Sequence, residues 1–143
     1  MSYIKKSSIE GEKIIKLFDL HYSTYLFPIL ITVLIAKITD FDMKTTGLLI
    51  SALMLFYLIP NVYVEYSLTN KRAVNKKGVL TTKTEEMKLN QVETVEMSQS
   101  FLGKILNYGE IKITGTGSSD VKFRKVASPF QVKKIIETSL EGK

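Results

Sequence analysis

The apolar residues of this chain gather into two long runs and then break into short alternating ones. Residues 20–36, LHYSTYLFPILITVLIA, and 45–64, TTGLLISALMLFYLIPNVYV, contain no Asp, Glu, Lys or Arg over 17 and 20 residues. Such lengths match the ~17–25 residues that carry a helix across a bilayer. Only KITDFDMK separates them, so they predict an antiparallel hairpin of two membrane helices. Pro28 and Pro60 each remove a helix hydrogen bond, which membrane helices tolerate. Tyr22, Tyr25, Tyr57, Tyr63 and Tyr66 fall mostly near the run ends, where amphipathic rings prefer the interface. A signal peptide or a buried core helix is the competing reading. The 19 residues ahead of the first run, and the second run that follows at once, argue against it.

Basic residues set the expected orientation. Lys5, Lys6, Lys13 and Lys16 precede the first run, and Lys71, Arg72, Lys76 and Lys77 follow the second. The link holds Lys37 and Lys44, offset by Asp40 and Asp42. This predicts a multi-pass protein of the plasma membrane with both termini cytoplasmic. Three parts follow: an N-terminal cytoplasmic or interfacial segment at 1–19, the hairpin at 20–64, and a cytoplasmic domain at 65–143. In GEKIIKLFDL, Ile14, Ile15, Leu17 and Phe18 alternate with charges. That pattern fits a short surface helix or an extension of the first membrane helix.

After residue 62 the helical period disappears. VYVEYSLTN is rich in β-branched and aromatic residues and ends in a polar turn. RAVNKKGVLTTKT reads as two short strands around NKKG. QVETVEMS is a strand whose Val92 and Val95 break strict alternation, which predicts a bulge. SFLGKILNYG is a short linker with one helical turn ending at a glycine. GEIKIT and DVKFRKV alternate cleanly, with Ile111, Ile113, Val121 and Phe123 on one face and Lys112, Lys122 and Arg124 on the other. Between them, GTGSS runs from strand to strand rather than strand to helix, and no GK[ST] follows. It is a hairpin turn, not a phosphate loop. In SPFQVKKIIETSLEGK, Ser128 fits an N-cap, Pro129 the first helical position and Gln131 the third residue of a capping box. Val132, Ile135, Ile136 and Leu140 form one apolar face. About six short strands and this helix predict a small antiparallel barrel plugged at one end.

Composition narrows the chemistry. The chain has 143 residues, no cysteine and one histidine, which excludes disulfides, thiolate chemistry and a typical zinc site. No cofactor or metal is expected. Lys plus Arg number 20 against 14 Asp plus Glu, a net charge of +6. His21 stands where a span would begin and reads as an interfacial anchor. The carboxylate pairs Glu85/Glu86 and Glu93/Glu96 lack a partner base and read as solvated faces. No serine stands in a nucleophile elbow. Basic residues are not interleaved with aromatics, which argues against nucleic acid.

The candidate binding residues are therefore basic: Lys71, Arg72, Lys76 and Lys77, and across the last hairpin Lys112, Lys122 and Arg124. The first cluster fits either contact with anionic lipid or a topology signal alone. Gly47 and Ser51 have a small-x-x-x-small spacing that permits homo-oligomer formation.

The order of motifs resembles that of the bacterial PH-like membrane protein family. The resemblance rests on YSLTNKRAVNKKGVL at 66–80, SQSFLGKILNYGEIKITGTGS at 98–118, SPFQVKKII at 128–136, and the lead-in GEKIIKLFDLHYSTYLFP at 11–28. Here LFDLH stands where an arginine and a proline often precede the histidine. The resemblance implies a membrane α-helical hairpin followed by a mainly-β PH-like split barrel with a C-terminal capping α-helix, and implies no known activity. The expected function is a membrane-anchored interaction or scaffold module without catalysis, binding a protein partner or docking in an envelope complex. The alternative is a sensor of anionic lipid headgroups using the basic turns. A membrane enzyme or transporter component is disfavoured, because neither run holds an Asp, Glu, Lys or Arg.

Overall fold

A computed structural model describes residues 7, 9–38, 43–78, 81–117 and 119–142. Among them seven strands and four helices follow one another as β1 (Ile14–Phe18), α1 (Ser23–Ile38), α2 (Met43–Val62), β2 (Glu65–Thr69), β3 (Arg72–Lys77), β4 (Lys83–Lys88), β5 (Val92–Ser98), α3 (Phe101–Leu106), β6 (Tyr108–Gly115), β7 (Asp120–Ala127) and α4 (Pro129–Glu141). A 3₁₀ turn, Leu89–Gln91, joins β4 to β5. All pairing is antiparallel, in a four-stranded sheet ordered β1-β2-β3-β4 and a three-stranded sheet ordered β5-β6-β7.

Alternation builds the core. Every second residue is buried along β6, and along β7 up to Phe123, and Ile111, Ile113, Val121 and Phe123 meet Tyr66, Leu68, Ala73 and Met87 of the first sheet. The apolar face of α4, with Val132 and Ile136, completes this core. It packs against β5 and β6. Amphipathic burial of this kind, rather than propensity, supplies most of the stability of so short a helix.

Two side chains replace backbone pairing where the sheets meet. The Tyr66 hydroxyl donates to the carbonyl of Arg124 (3.1 Å) and accepts from its N–H (3.0 Å). Burial pushes the phenol pKa up, against smaller opposing contributions from Arg124. Asn75 Nδ2 donates to the Lys122 carbonyl (2.8 Å) and to Glu85 Oε2 (2.9 Å). The Tyr66 ring also stacks on Phe123, with centroids 4.9 Å apart.

Several expectations need correction. The membrane-spanning hairpin is not found: among the described residues no helix is long and apolar enough to cross a membrane. Part of the first apolar run belongs to the β structure instead. Leu20 forms a bridge with Val126, and the His21 N–H donates to the Lys125 carbonyl at 2.7 Å. That leaves α1 with 16 residues, about 24 Å at 1.5 Å per residue, short of the ~30 Å hydrocarbon core. The 20 residues of α2 open on Met43, Lys44, Thr45 and Thr46. The fold is thus mainly β, two antiparallel sheets with a few helices. The integral two-span assignment and the multi-pass plasma-membrane localisation with both termini inside are withdrawn with the hairpin. Lys5, Lys6, Asp40 and Asp42, which entered the orientation argument, lie outside the described residues, as does Ser118. The helices α1 and α2 do pack on each other, with Leu30, Leu34, Leu48 and Leu53 exposed.

Residues 14–18 form a strand rather than a surface helix. β1 pairs with β2, burying Phe18 while Ile14, Ile15 and Leu17 stay exposed. The pairing partner decides the matter, since an isolated five-residue helix has no such compensation. The capping box of α4 is also absent: Ser128 is left-handed (φ 49°) and makes no side-chain cap bond. Its Oγ instead accepts from Asn107 Nδ2 at 3.1 Å. Asn107, itself left-handed, closes α3, whose first turn is capped by Ser100. Two glycines allow this corner to close. A Cβ on Gly103 would stand 2.6 Å from the Tyr108 carbonyl oxygen, and one on Gly109 2.7 Å from that of Ser98.

Tyr66→Phe removes one oxygen that bonds both backbone polar groups of Arg124. A loss of about 1–3 kcal/mol is expected from leaving buried partners unmade, read as a lower denaturant midpoint at unchanged slope.

Candidate functional site

The seven basic residues singled out in the sequence do not form one surface. Lys71 and Arg72 lie at one end of β3, Lys76 and Lys77 at the other. Arg72 is a structural ion. Its Nε donates to Glu12 Oε1 (2.9 Å), Nη1 to Glu86 Oε2 (2.6 Å), and Nη2 to Glu12 Oε2 (3.1 Å) and the Ser7 carbonyl (2.7 Å). Glu12 has a side chain only 1% exposed and also accepts from the Ile9 N–H and the Thr69 hydroxyl. Burial acts to raise the Glu12 pKa, but the Arg72 bond and those from Ile9 and Thr69 hold it below the usual carboxylate range. Lys71 Nζ donates to the Glu10 carbonyl at 2.5 Å. The N-terminal turn therefore clasps the tip of the β2–β3 hairpin and takes up both cations of the turn.

On the outer face of the second sheet, Lys112 pairs with Asp120 (3.5 Å) and Arg124 with Glu110 (3.4 Å). Lys122 stands opposite Lys112 in register, and Glu96 opposite Lys112 on the other side. Lys112, Lys122 and Arg124 thus face Glu96, Glu110 and Asp120, three charges of each sign.

A cleft opens between the two sheets. It has a volume of about 540 Å³ and is bordered by Lys77 of β3, Tyr66 of β2, Ser98 of β5, Glu110 of β6, and Arg124 and Lys125 of β7. It lies beside the start of α1, where Thr24 also lines it. Thr24 is 2% exposed, and its Oγ1 has no hydrogen-bond partner among the described residues. A bulge shapes the cleft: Arg124 and Lys125 together oppose the single residue Glu110. Lys125 adopts φ 50°, a left-handed conformation uncommon outside glycine, asparagine and aspartate. Sequence reasoning placed a bulge on β5 and did find one irregularity there, between Val92 and Thr94. It missed the bulge on β7 and passed over Lys125, since the clean alternation of DVKFRKV up to Arg124 hides it.

His21 anchors α1 to this corner. Its Nδ1 accepts from the Ser23 N–H (3.2 Å) and lies 3.0 Å from Ser23 Oγ. Its ring lies against Tyr22 and stacks on Tyr108, with centroids 4.0 and 5.2 Å apart. Burial lowers its pKa, and an Nδ1 that accepts from Ser23 is deprotonated, so this is a neutral helix cap. Among the described residues no group of three His, Cys, Asp or Glu is placed to hold a metal.

A second surface is the edge of β5, which among the described residues pairs only with β6. Glu93, Thr94, Glu96 and Ser98 are exposed along it, and α4 packs at its flank. At the corner between them, Phe101, Ile105 and Phe130 are exposed.

Comparison with known families gives this fold its place. Residues 23–139 match the model of the bacterial PH domain, and the chain belongs to that family. PH-like domains are in general binding modules rather than catalysts. A search among curated proteins finds no match.

Two outcomes follow from these interior charges. Arg72→Met leaves Glu12 buried without its guanidinium and is expected to cost about 3–5 kcal/mol in urea unfolding. Arg72→Lys should recover little of this, lacking the planar fork. The second concerns pH. His21 is the single histidine, and its folded pKa lies below 6.5. As pH falls through 6.5 the unfolded chain takes up a proton that the folded one refuses, so stability declines until the folded pKa is reached. Glu12 and Glu85, both lowered from 4.5, lose their contribution only at still lower pH. Thermal midpoints should therefore fall between pH 6.5 and 5, and His21→Asn should flatten that decline.

Proposed function

We propose that this protein is a non-catalytic interaction module that binds an extended segment of a protein partner along the edge of β5. The observation that carries the reading is the open edge itself. An edge strand presents unpaired N–H and C=O groups, and an added strand satisfies them. Glu93 and Glu96 are exposed on β5, so the preferred segment bears Lys or Arg opposite them. The helix α4 beside the edge gives the segment a second wall. The headgroup reading at the basic turns has less behind it, since Lys71 and Arg72 are bonded to the N-terminal turn.

Selection of displayed random peptides against the full chain tests the proposal. Enriched peptides should be extended, β-prone and basic at alternate positions. Binding should slow amide exchange along β5, and the Glu93→Lys/Glu96→Lys variant should lose at least tenfold in affinity while keeping its thermal midpoint. Protection confined to other elements, or affinity unchanged in the variant, would reject the β5 edge.

A further inference from the structure

We propose that the corner formed by α3 and the start of α4 anchors one end of the partner segment, by taking up a bulky apolar side chain that flanks its paired stretch. The anchor depends on the β5-edge reading and adds what that edge cannot supply. Main-chain bonds along an added strand give affinity, and contacts to its side chains give the choice of sequence.

The corner presents four large apolar side chains. Phe101, Leu102 and Ile105 of α3 and Phe130 of α4 are 48–78% exposed. Single exposed apolar residues need no account, but a cluster of them on a small domain marks an interaction surface. Hydrogen bonds hold the two elements side by side. Asn107, which closes α3, donates from Nδ2 to Ser128 Oγ (3.1 Å), and its carbonyl accepts from the Ser128 N–H (3.0 Å).

The helix α3 is fixed with these side chains turned outward. It has six residues and buries only Gly103, so it lacks the apolar packing that keeps most short helices folded. Polar bonds hold it instead. Ser100 Oγ accepts from the Gly103 N–H (3.1 Å), and Gln99 Nε2 donates to the carbonyls of Gly103 (3.3 Å) and Tyr108 (3.1 Å). At the other end the Asn107 N–H donates to the Gly103 carbonyl. Phe101 and Ile105, four residues apart, therefore share one face of a helix that is already ordered. A preformed surface loses little freedom when a ligand lands on it, and aromatic anchors carry much of the energy of many interfaces.

Position names the occupant. β5 ends at Ser98 and α3 begins at Phe101, with only Gln99 and Ser100 between them. A strand added to β5 and continued past Ser98 meets this corner. Every strand pair in the fold is antiparallel, and a segment added in the same sense brings its N-terminal end there. Lys104 is the one charged residue of α3, so this end does not favour the Lys or Arg that Glu93 and Glu96 favour further along. The segment is bulky and apolar at its N-terminal flank, then basic at alternate positions.

Three fluorescein-labelled peptides, titrated with the full chain and read by anisotropy, test this. All contain Lys-Val-Lys-Val-Lys-Val. One adds Trp-Leu at the N-terminus, one adds Leu-Trp at the C-terminus, and one adds neither. The N-terminal Trp-Leu peptide is expected to bind at least tenfold tighter than the bare core. Phe101→Ala/Ile105→Ala changes only exposed positions and should keep the thermal midpoint; it should remove that gain and leave the affinity of the bare core unchanged. A gain at the C-terminus that the same variant removes supports the corner and makes the added strand parallel. Equal affinity of the three peptides, or a gain that the variant retains, overturns the anchor while the edge stands. Absence of binding by all three rejects both. Glu93→Lys/Glu96→Lys should weaken the bare core, which Phe101→Ala/Ile105→Ala does not, so failure at the edge and failure at the corner are told apart.

Discussion

One phenolic oxygen joins the two sheets. Tyr66 donates to and accepts from the backbone of one residue of β7, Arg124, so it does for β2 and β7 what a ladder of backbone bonds does within a sheet. Asn75 repeats the device one strand over, reaching the Lys122 carbonyl. Both side chains lie in a core otherwise filled by Leu68, Ile111, Val121 and Phe123. Apolar packing there is non-directional and would accept the sheets at several offsets. The polar stitches accept only one. They fix where β7 runs, and so which of its residues face inward.

The rest of the cleft corner depends on that placement. Beside the Arg124 backbone held by Tyr66, β7 takes up an extra residue, so that Arg124 and Lys125 stand against the single Glu110. The Lys125 carbonyl turns to receive the His21 N–H, and His21 in turn caps α1 through Ser23. Register, bulge and helix start are thus consecutive links of one chain of hydrogen bonds. The far end of the first sheet is held differently. There the Glu12–Arg72–Glu86 cluster, buried at Glu12 and Arg72, anchors the N-terminal turn, so that described residues 9–13 and β1 are held to the first sheet.

Elements that carry their own period were legible in the sequence. GEIKIT and DVKFRKV alternate because one face is buried, and SPFQVKKII shows the helical stripe that covers the core. The glycines of FLGKILNYG were visible as a pattern, but their reason, carbonyl oxygens within 3 Å of any Cβ, is a tertiary fact. The failures share a cause. IIKLF has the composition of a surface helix and becomes a strand because β2 offers an edge. LHY has the hydropathy of a span and is drawn into the sheet by Val126 and Lys125. Ser128 has the sequence signature of an N-cap and spends its hydroxyl on Asn107. Local signals were outvoted by partners 40 or more residues away in the first two cases and 21 away in the third.

Charge shows the same dependence on partners. Lys71, Arg72, Lys76 and Lys77 are contiguous enough in sequence to look like one basic patch, yet a strand spreads them over its length and gives each end a different acid or carbonyl. Arg124 and Lys125, by contrast, would point to opposite faces of an ordinary strand. The bulge brings them to one cleft, where Lys77 arrives from the other sheet. A charged cleft in a β protein is therefore assembled across strands, by register and irregularity. Here that irregularity stands at Arg124 and Lys125, beside the backbone that the Tyr66 hydroxyl holds.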